Sequence, residues 1–237
     1  MTAIAQPASQ ADFRTRLEDT VKNRHSKQHP FSKAWAEGEL TRPQFGEWVR
    51  QHYHYVGHFS EWLGTMFGKC DDQEVRDFLL QNMWEEELAA TRHTELLLRF
   101  AEACGMPREE VIEAEKRGTL LPSTEAFAAW CNNCAHTLPV WEAAAALIVG
   151  LESQTPGIYQ RQTPVLEEKY KFEEEDLEFF YIHITSDAVH GERGYQIVEK
   201  CADTPEKQER ALYLVRRAAQ HRWLYMDGVY RKAVLGE

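Results

Sequence analysis

The sequence predicts an all-α bundle of about seven main helices, forming one domain over residues 1–237. Three observations predict it. Apolar residues recur at helical period through almost every segment. No stretch alternates apolar and polar residues as a half-buried strand would. There are no repeats, low-complexity tracts or long linkers, and 237 residues suffice for one large domain with a substantial core.

The elements are taken in chain order. A first helix fits Ala11 to about Arg24, and a short one fits "PFSKAWAEG". Thr41 caps the next, with Pro43 in its first turn, and it is expected to run to about Lys69. Asp71 and Asp72 open a long helix that Gly105 terminates. "MPREEVIEAEK" reads as a short helix with a Pro start, and another begins at Ser123 and breaks near Pro139. The apolar run "VWEAAAALIVGLES", Val140 to about Ser153, should be a buried helix that continues or restarts past Pro156 to about Tyr170. Glu173 to Cys201 is the next helix, and Pro205 starts the last, which runs to about Val234.

Composition is ordinary for a globular protein, with 43% apolar, 27% charged and 11% aromatic residues. A formal net charge of -11 argues against nucleic acid as a partner. No apolar run approaches the ~18 residues that span a bilayer, so no membrane partner is expected. The start, "MTAIAQPASQADF", lacks the basic residues and apolar core of a signal peptide. Five scattered cysteines suit a reducing compartment, and the expected location is cytoplasmic. A homodimer is left open.

Three stretches carry candidate metal ligands. In "HITSDAVH", His183, Asp187 and His190 are spaced four and then three apart, which places them on one stripe of a helix turning about 100° per residue. In "WEEELAATRH", Glu86 and His93 are seven apart, two turns along one expected stripe, while Glu85 and Glu87 are expected to face water. In "GLESQTP", Glu152 ends a strongly apolar helix, where an unpaired carboxylate is costly and a metal is a fitting partner. Any one of these side chains alone reads most simply as a surface or satisfied core group, and the case rests on their conjunction. Three carboxylates and three imidazoles on facing helices suit two iron or manganese ions better than zinc. No cysteine falls in these motifs.

The order Glu-x6-His, then Glu followed by Ser-Gln-x-Pro, then His-x3-Asp-x2-His resembles the haem-oxygenase-like di-iron oxidases. The likeness covers most of the chain, from "HPFSKAWAEGELT" to "ALYLVRRAAQ". It lies near the thiaminase-II and quinone-synthase families, and nearest the branch of the chlamydial death-domain-associating protein. The resemblance implies a seven-helix haem-oxygenase-like fold, with ligands at Glu86, His93, Glu152, His183, Asp187 and His190. It implies two Fe(II) per chain, with manganese as the alternative metal, and dioxygen and a small molecule as substrates. Departures narrow the activity. Ser32 stands where the p-aminobenzoate branch has a self-consumed tyrosine, and Gln162 where it has a helper lysine. Val140 stands where thiaminase-II has its nucleophilic Cys. His183 stands where the metal-free quinone synthase has Arg, although "EKYKFEEEDLEFFYIHITSDAVHGERG" is similar to it.

The expected activity is therefore that of a non-haem di-iron oxygenase or oxidase. Its substrate is a small carboxylate or amine, and its reaction C–H abstraction, oxidative C–C cleavage or N-oxygenation. The alternatives are a cofactorless quinone-forming oxidase and a metal-free small-molecule-binding protein of the same fold. His25 resembles the haem-binding His of haem oxygenase, but no haem is expected where the cavity holds two irons. His54 and His58, four apart in "YHYVGH", together with Arg193 and Tyr195, are weaker candidates for substrate contact. "CNNC", Cys131 to Cys134, has redox spacing but lies in a helical segment, so packing is the expected role. Gly191 and Gly194, in one helical turn, point to close packing or room for a small ligand.

Overall fold

Helix starts fall where capping chemistry puts them. The side chains of Ser9, Asp72 and Thr204 accept hydrogen bonds from the backbone N–H groups of Asp12, Val75 and Lys207, at 3.2, 3.2 and 3.3 Å. Pro30, Pro43, Pro122, Pro156 and Pro205 lie in first turns, where no N–H is needed. The computed structural model describes residues 7–237, which contain helices and no strand. The first helices are α1 (Gln10–Asn23), α2 (Pro30–Ala36), α3 (Arg42–Val56), α4 (Phe59–Gly68), α5 (Gln73–Glu87) and α6 (His93–Ala103). Then come α7 (Arg108–Ile112), α8 (Pro122–Thr137), α9 (Val140–Ala144), α10 (Thr155–Glu168), α11 (Glu178–Cys201) and α12 (Pro205–Tyr230).

The all-α expectation holds, but three of the expected long helices are broken. The helix from Thr41 divides at Gly57 and His58 into α3 and α4. The helix from Asp72 divides at residues 88–92 into α5 and α6. The apolar run after Pro139 makes α9, widens into a π turn over Ala145–Val149, turns at Leu151, and tightens into a 3-10 turn over Glu152–Gln154. That break comes before Pro156, which sits in the first turn of α10 as a helix starter. Side chains satisfy the carbonyls that the irregular backbone frees. Ser153 Oγ donates to Val149 O at 2.6 Å, Gln154 Nε2 to Gly150 O at 2.5 Å, and Arg222 Nη1 to Leu151 O at 2.7 Å.

Trp35 on α2 ties the aromatic core together. Its ring lies 4.9 Å from Trp48 on α3 and 5.9 Å from Phe180 on α11, and Phe180 lies 4.8 Å from Phe100 on α6. Burying an aromatic side chain of this kind stabilises the fold by roughly 2–3 kcal/mol. The core leads directly to the site. His52 stacks on Trp48 at 4.4 Å, and Phe179, beside Phe180, backs His183 at 4.2 Å. Gly191 and Gly194 serve close packing: a Cβ at 191 would lie 3.0 Å from Ser153 Cβ, and one at 194 would overlap Ile148. Their bare backbone lets α11 press against the π turn and the Glu152 turn. Among the described residues, no helix is long and apolar enough to cross a membrane.

Candidate metal centre

α11 is unbroken, so the stripe read from its spacing survives: His183, Asp187 and His190 are all buried on the face turned to α5, α6 and the Glu152 turn. Glu86 and His93 meet in a different way from the one their spacing implied. On a continuous helix, seven residues rise about 10.5 Å. Here Glu86 closes α5 and His93 opens α6, and the chain turning back between them brings Glu86 Oε2 to 2.9 Å from His93 Nδ1. Glu152 is 6% exposed and enters from the 3-10 turn.

Donor atoms of Glu86, His93 and His183 lie within 4.8 Å of one another, and so do those of Glu86, Glu152 and His190. Glu86 belongs to both groups. Asp187 is in neither group, but its Oδ1 is 3.7 Å from His190 Nδ1. His183 Nδ1–H donates to Phe179 O at 2.6 Å, which leaves Nε2 with its lone pair free to ligate. His190 Nδ1 lies 2.8 Å from Glu152 Oε1, and its Nε2 lies 2.5 Å from Glu85 Oε2.

The expectation that Glu85 faces water is therefore corrected. Its carboxylate holds the outer nitrogen of His190 and leaves the inner one to the cluster. Glu87 bonds Ser60 Oγ at 2.7 Å, at the half-buried edge of α5. With Glu85 counted, four carboxylates balance the charge of two divalent ions. The donor set fits such ions on a further ground: Glu152 Oε2 and Asp187 Oδ1 are buried with no hydrogen-bond partner. Protons hold part of the charge in this form. Burial pulls His190 down, but Asp187 and Glu152 outweigh it and raise it to about 11. Burial likewise opposes His93, yet Glu86 raises it. Burial pushes Glu86 up, and its imidazole neighbours, His93 foremost, bring it below the ordinary carboxylate value.

One cavity joins the cluster to an aromatic chamber. Its wall runs from Glu86, Glu152, His183 and Asp187 to His52, Tyr55, Phe59, Tyr159, Phe179 and Arg222, around about 40 Å³ open to the centre of a water molecule. Sequence reasoning missed the chamber residues, although signals exist. Trp48, His52 and Tyr55 are spaced four and three apart, one helical stripe. Asn82, Glu85 and Glu86 share a face of α5, and Asn82 Nδ2 donates to Glu152 Oε1 at 3.2 Å. Arg222 is a lone charge in the buried stripe of α12.

None of the four weaker candidates lines this chamber. His54 lies two residues, about 200°, around α3 from His52, and its Nε2 meets Val111 O at 2.7 Å. His58 pairs with Glu61 at the surface at 2.9 Å. Arg193 donates to Gln81 Oε1 at 2.9 Å, on the outer side of α5. Tyr195 lies under the Arg14 guanidinium, 3.9 Å from ring centroid to Cζ. It borders a second, solvent-facing space with His25, Lys22, Lys27, Ser153 and Gly191, and Asp187 borders both spaces. Cys131 and Cys134 are buried free thiols in α8, raised by burial, as packing residues would be.

Comparison with known proteins adds to this geometry. Residues 46–223 match a family model described as iron-containing redox enzyme. A 4-aminobenzoate synthase of Nitrosomonas europaea is 32% identical over 228 residues, covering 92% of this chain and 91% of its own. A pyrroloquinoline-quinone synthase of Acinetobacter baumannii is 26% identical, covering 97% and 90%. A Shewanella denitrificans domain of unknown function with a haem-oxygenase-like fold superposes with a TM-score of 0.73 at 17% identity, covering 95% and 92%, which shows the fold.

Proposed function

Since this chain belongs to the family of iron-containing redox enzymes, we propose that it is a non-haem di-iron oxidase or oxygenase using dioxygen to oxidise a small carboxylate or amine. One observation carries the reading: two buried donor groups share Glu86 in the wall of one cavity, and two carboxylate oxygens there have no partner. His93 and His183 would hold one ion with Glu86, and Glu152 and His190 the other, with Asp187 beside it. Two ferrous ions held there would supply two electrons to dioxygen, and the substrate's oxidation the remaining two. The chain's own residues position and shield. Glu85 keeps the proton of His190 on Nε2, the Phe179 carbonyl fixes the His183 ring, and Tyr55, Phe59 and Phe179 give the chamber aromatic walls. Haem has no part in this reading, and His25 is not among the residues lining the chamber.

The relative named 4-aminobenzoate synthase supports a biosynthetic oxidation, and the one named pyrroloquinoline-quinone synthase gives the cofactorless alternative. Anaerobic ferrous titration with Mössbauer spectroscopy separates them. The expected stoichiometry is about two irons per chain, as in carboxylate-bridged di-iron bundles. A stoichiometry of one or zero at saturation overturns the di-iron reading.

A further inference from the structure

Arg222 is a buried charge near the cluster that the metal reading leaves unused. It is 5% exposed, in a stripe of α12 otherwise made of Val215, Ala218, Ala219, Tyr225 and Val229. A guanidinium has five N–H donors. One side-chain bond is made, from Nη1 to Leu151 O at 2.7 Å, and no carboxylate pairs with Arg222 among the described residues. The polar groups around it do not neutralise it. Burial holds the phenols of Tyr159 and Tyr225 well above their ordinary value against the pull of Arg222. His52 is held neutral by burial and by Arg222 itself. A buried cation without a counter-ion is costly, and in a cavity wall an incoming anion relieves that cost.

Arg222 lines the same cavity as Glu86, Glu152, His183 and Asp187, with Tyr55, Phe59 and Phe179 among its walls. A planar fork and aromatic faces in the wall of one cavity fit one kind of occupant. We propose that Arg222 is the carboxylate-binding group of a substrate subsite, and that the occupant is a small aromatic carboxylate whose ring lies between Tyr55, Phe59 and Phe179. The end of the molecule away from the carboxylate then faces Glu86, His183 and Asp187. That orientation rests on the di-iron reading, whereas the subsite itself rests on Arg222 and the chamber.

A purely structural Arg222, holding the Leu151 carbonyl ahead of Glu152, makes a different prediction. Calorimetric titration of the full chain with benzoate and with benzamide, its neutral isostere, separates the two roles. Both chelator-treated and anaerobically ferrous-loaded protein are titrated. The wild-type chain is expected to bind benzoate at least about tenfold more tightly than benzamide, the size of a charge-assisted fork. Arg222→Leu should erase that preference and leave benzamide binding in place. Arg222→Gln keeps a donor for Leu151 and removes the charge, so it should also erase the preference at near wild-type helix content, even if the Leu variant fails to fold. A wild-type chain that does not distinguish the two ligands overturns the proposal. So does a Gln variant that weakens both ligands equally or keeps the preference. The two readings fail separately. A benzoate preference with no iron bound leaves the subsite standing and removes the metal centre. Two irons with no preference does the reverse.

Discussion

α11 and the segments facing it deliver ligands by opposite means. α11 is regular from Glu178 to Cys201, and its three candidate ligands stand where a helical wheel puts them. The facing ligands sit at interruptions: Glu86 and His93 on either side of a chain reversal, and Glu152 just past a π turn. A regular helix projects side chains at fixed intervals along its length. Bringing residues as far apart as Glu86 and His93, two turns along, to within 2.9 Å therefore requires breaking it. One wall of the centre is made by periodicity and the other by its failure, which is where π turns and 3-10 turns gather in other proteins.

The sharpest way to break this contrast is to empty the regular wall. His183→Ala or Asp187→Ala should leave helix content near wild type and lower the iron bound from about two per chain to one or fewer, since each ligand lost opens one site. Ferrous titration read by Mössbauer spectroscopy, with circular dichroism as the control, measures it. Deleting Ala146 tests the irregular wall. Removing one residue turns the π turn, which holds one residue more than an α turn, into ordinary helix, so the widened backbone that leads to the Glu152 turn is lost. Glu152 should leave the centre, with one iron per chain lost and α11 intact by circular dichroism.

The pH dependence comes next in size. His190 is raised from 6.5 to about 11 in the folded chain, so the native state keeps a proton that the unfolded state releases. Its stabilising contribution is complete below about 6.5 and is lost as pH rises toward 11. The melting temperature of the metal-free chain should therefore fall across that window, and His190→Gln should flatten the slope. Ferrous loading should flatten it too, because a ligating imidazole has already given up its proton. The smallest effects lie away from the donors. Gly194→Ala should cost about 1–3 kcal/mol through overlap with Ile148, and Cys131→Ala about 1 kcal/mol. Both are read by thermal melting, and both should leave the iron stoichiometry unchanged.

The same contrast explains how much could be read in advance. Helical class, most helix starts and the α11 triad come from period and capping, which are local properties. The break at residues 88–92 does not: Leu88, Ala89 and Ala90 are good helix formers, yet they are exposed in the turn that brings Glu86 and His93 together. The role of Glu85 depends on His190, 105 residues away in sequence. Arg222 was legible in principle, as a charge in an apolar stripe. The groups it faces are visible only once α12 is packed against Leu151 and the chamber. His54 and His58 show the opposite error, since a spacing of four promises a shared face only on an unbroken helix, and the helix breaks between them at Gly57.

Asp187 has a consequence for traffic. It borders the aromatic chamber on one side and the space lined by Lys22, Lys27 and His25 on the other, so the partition between bulk water and the cluster is one side chain thick there. A hydrophilic chelator drawn to the lysines and an aromatic acid drawn to Arg222 approach the same carboxylate from two different spaces. Leakage of metal and admission of substrate are thereby separate permeation problems, and widening one door need not loosen the other.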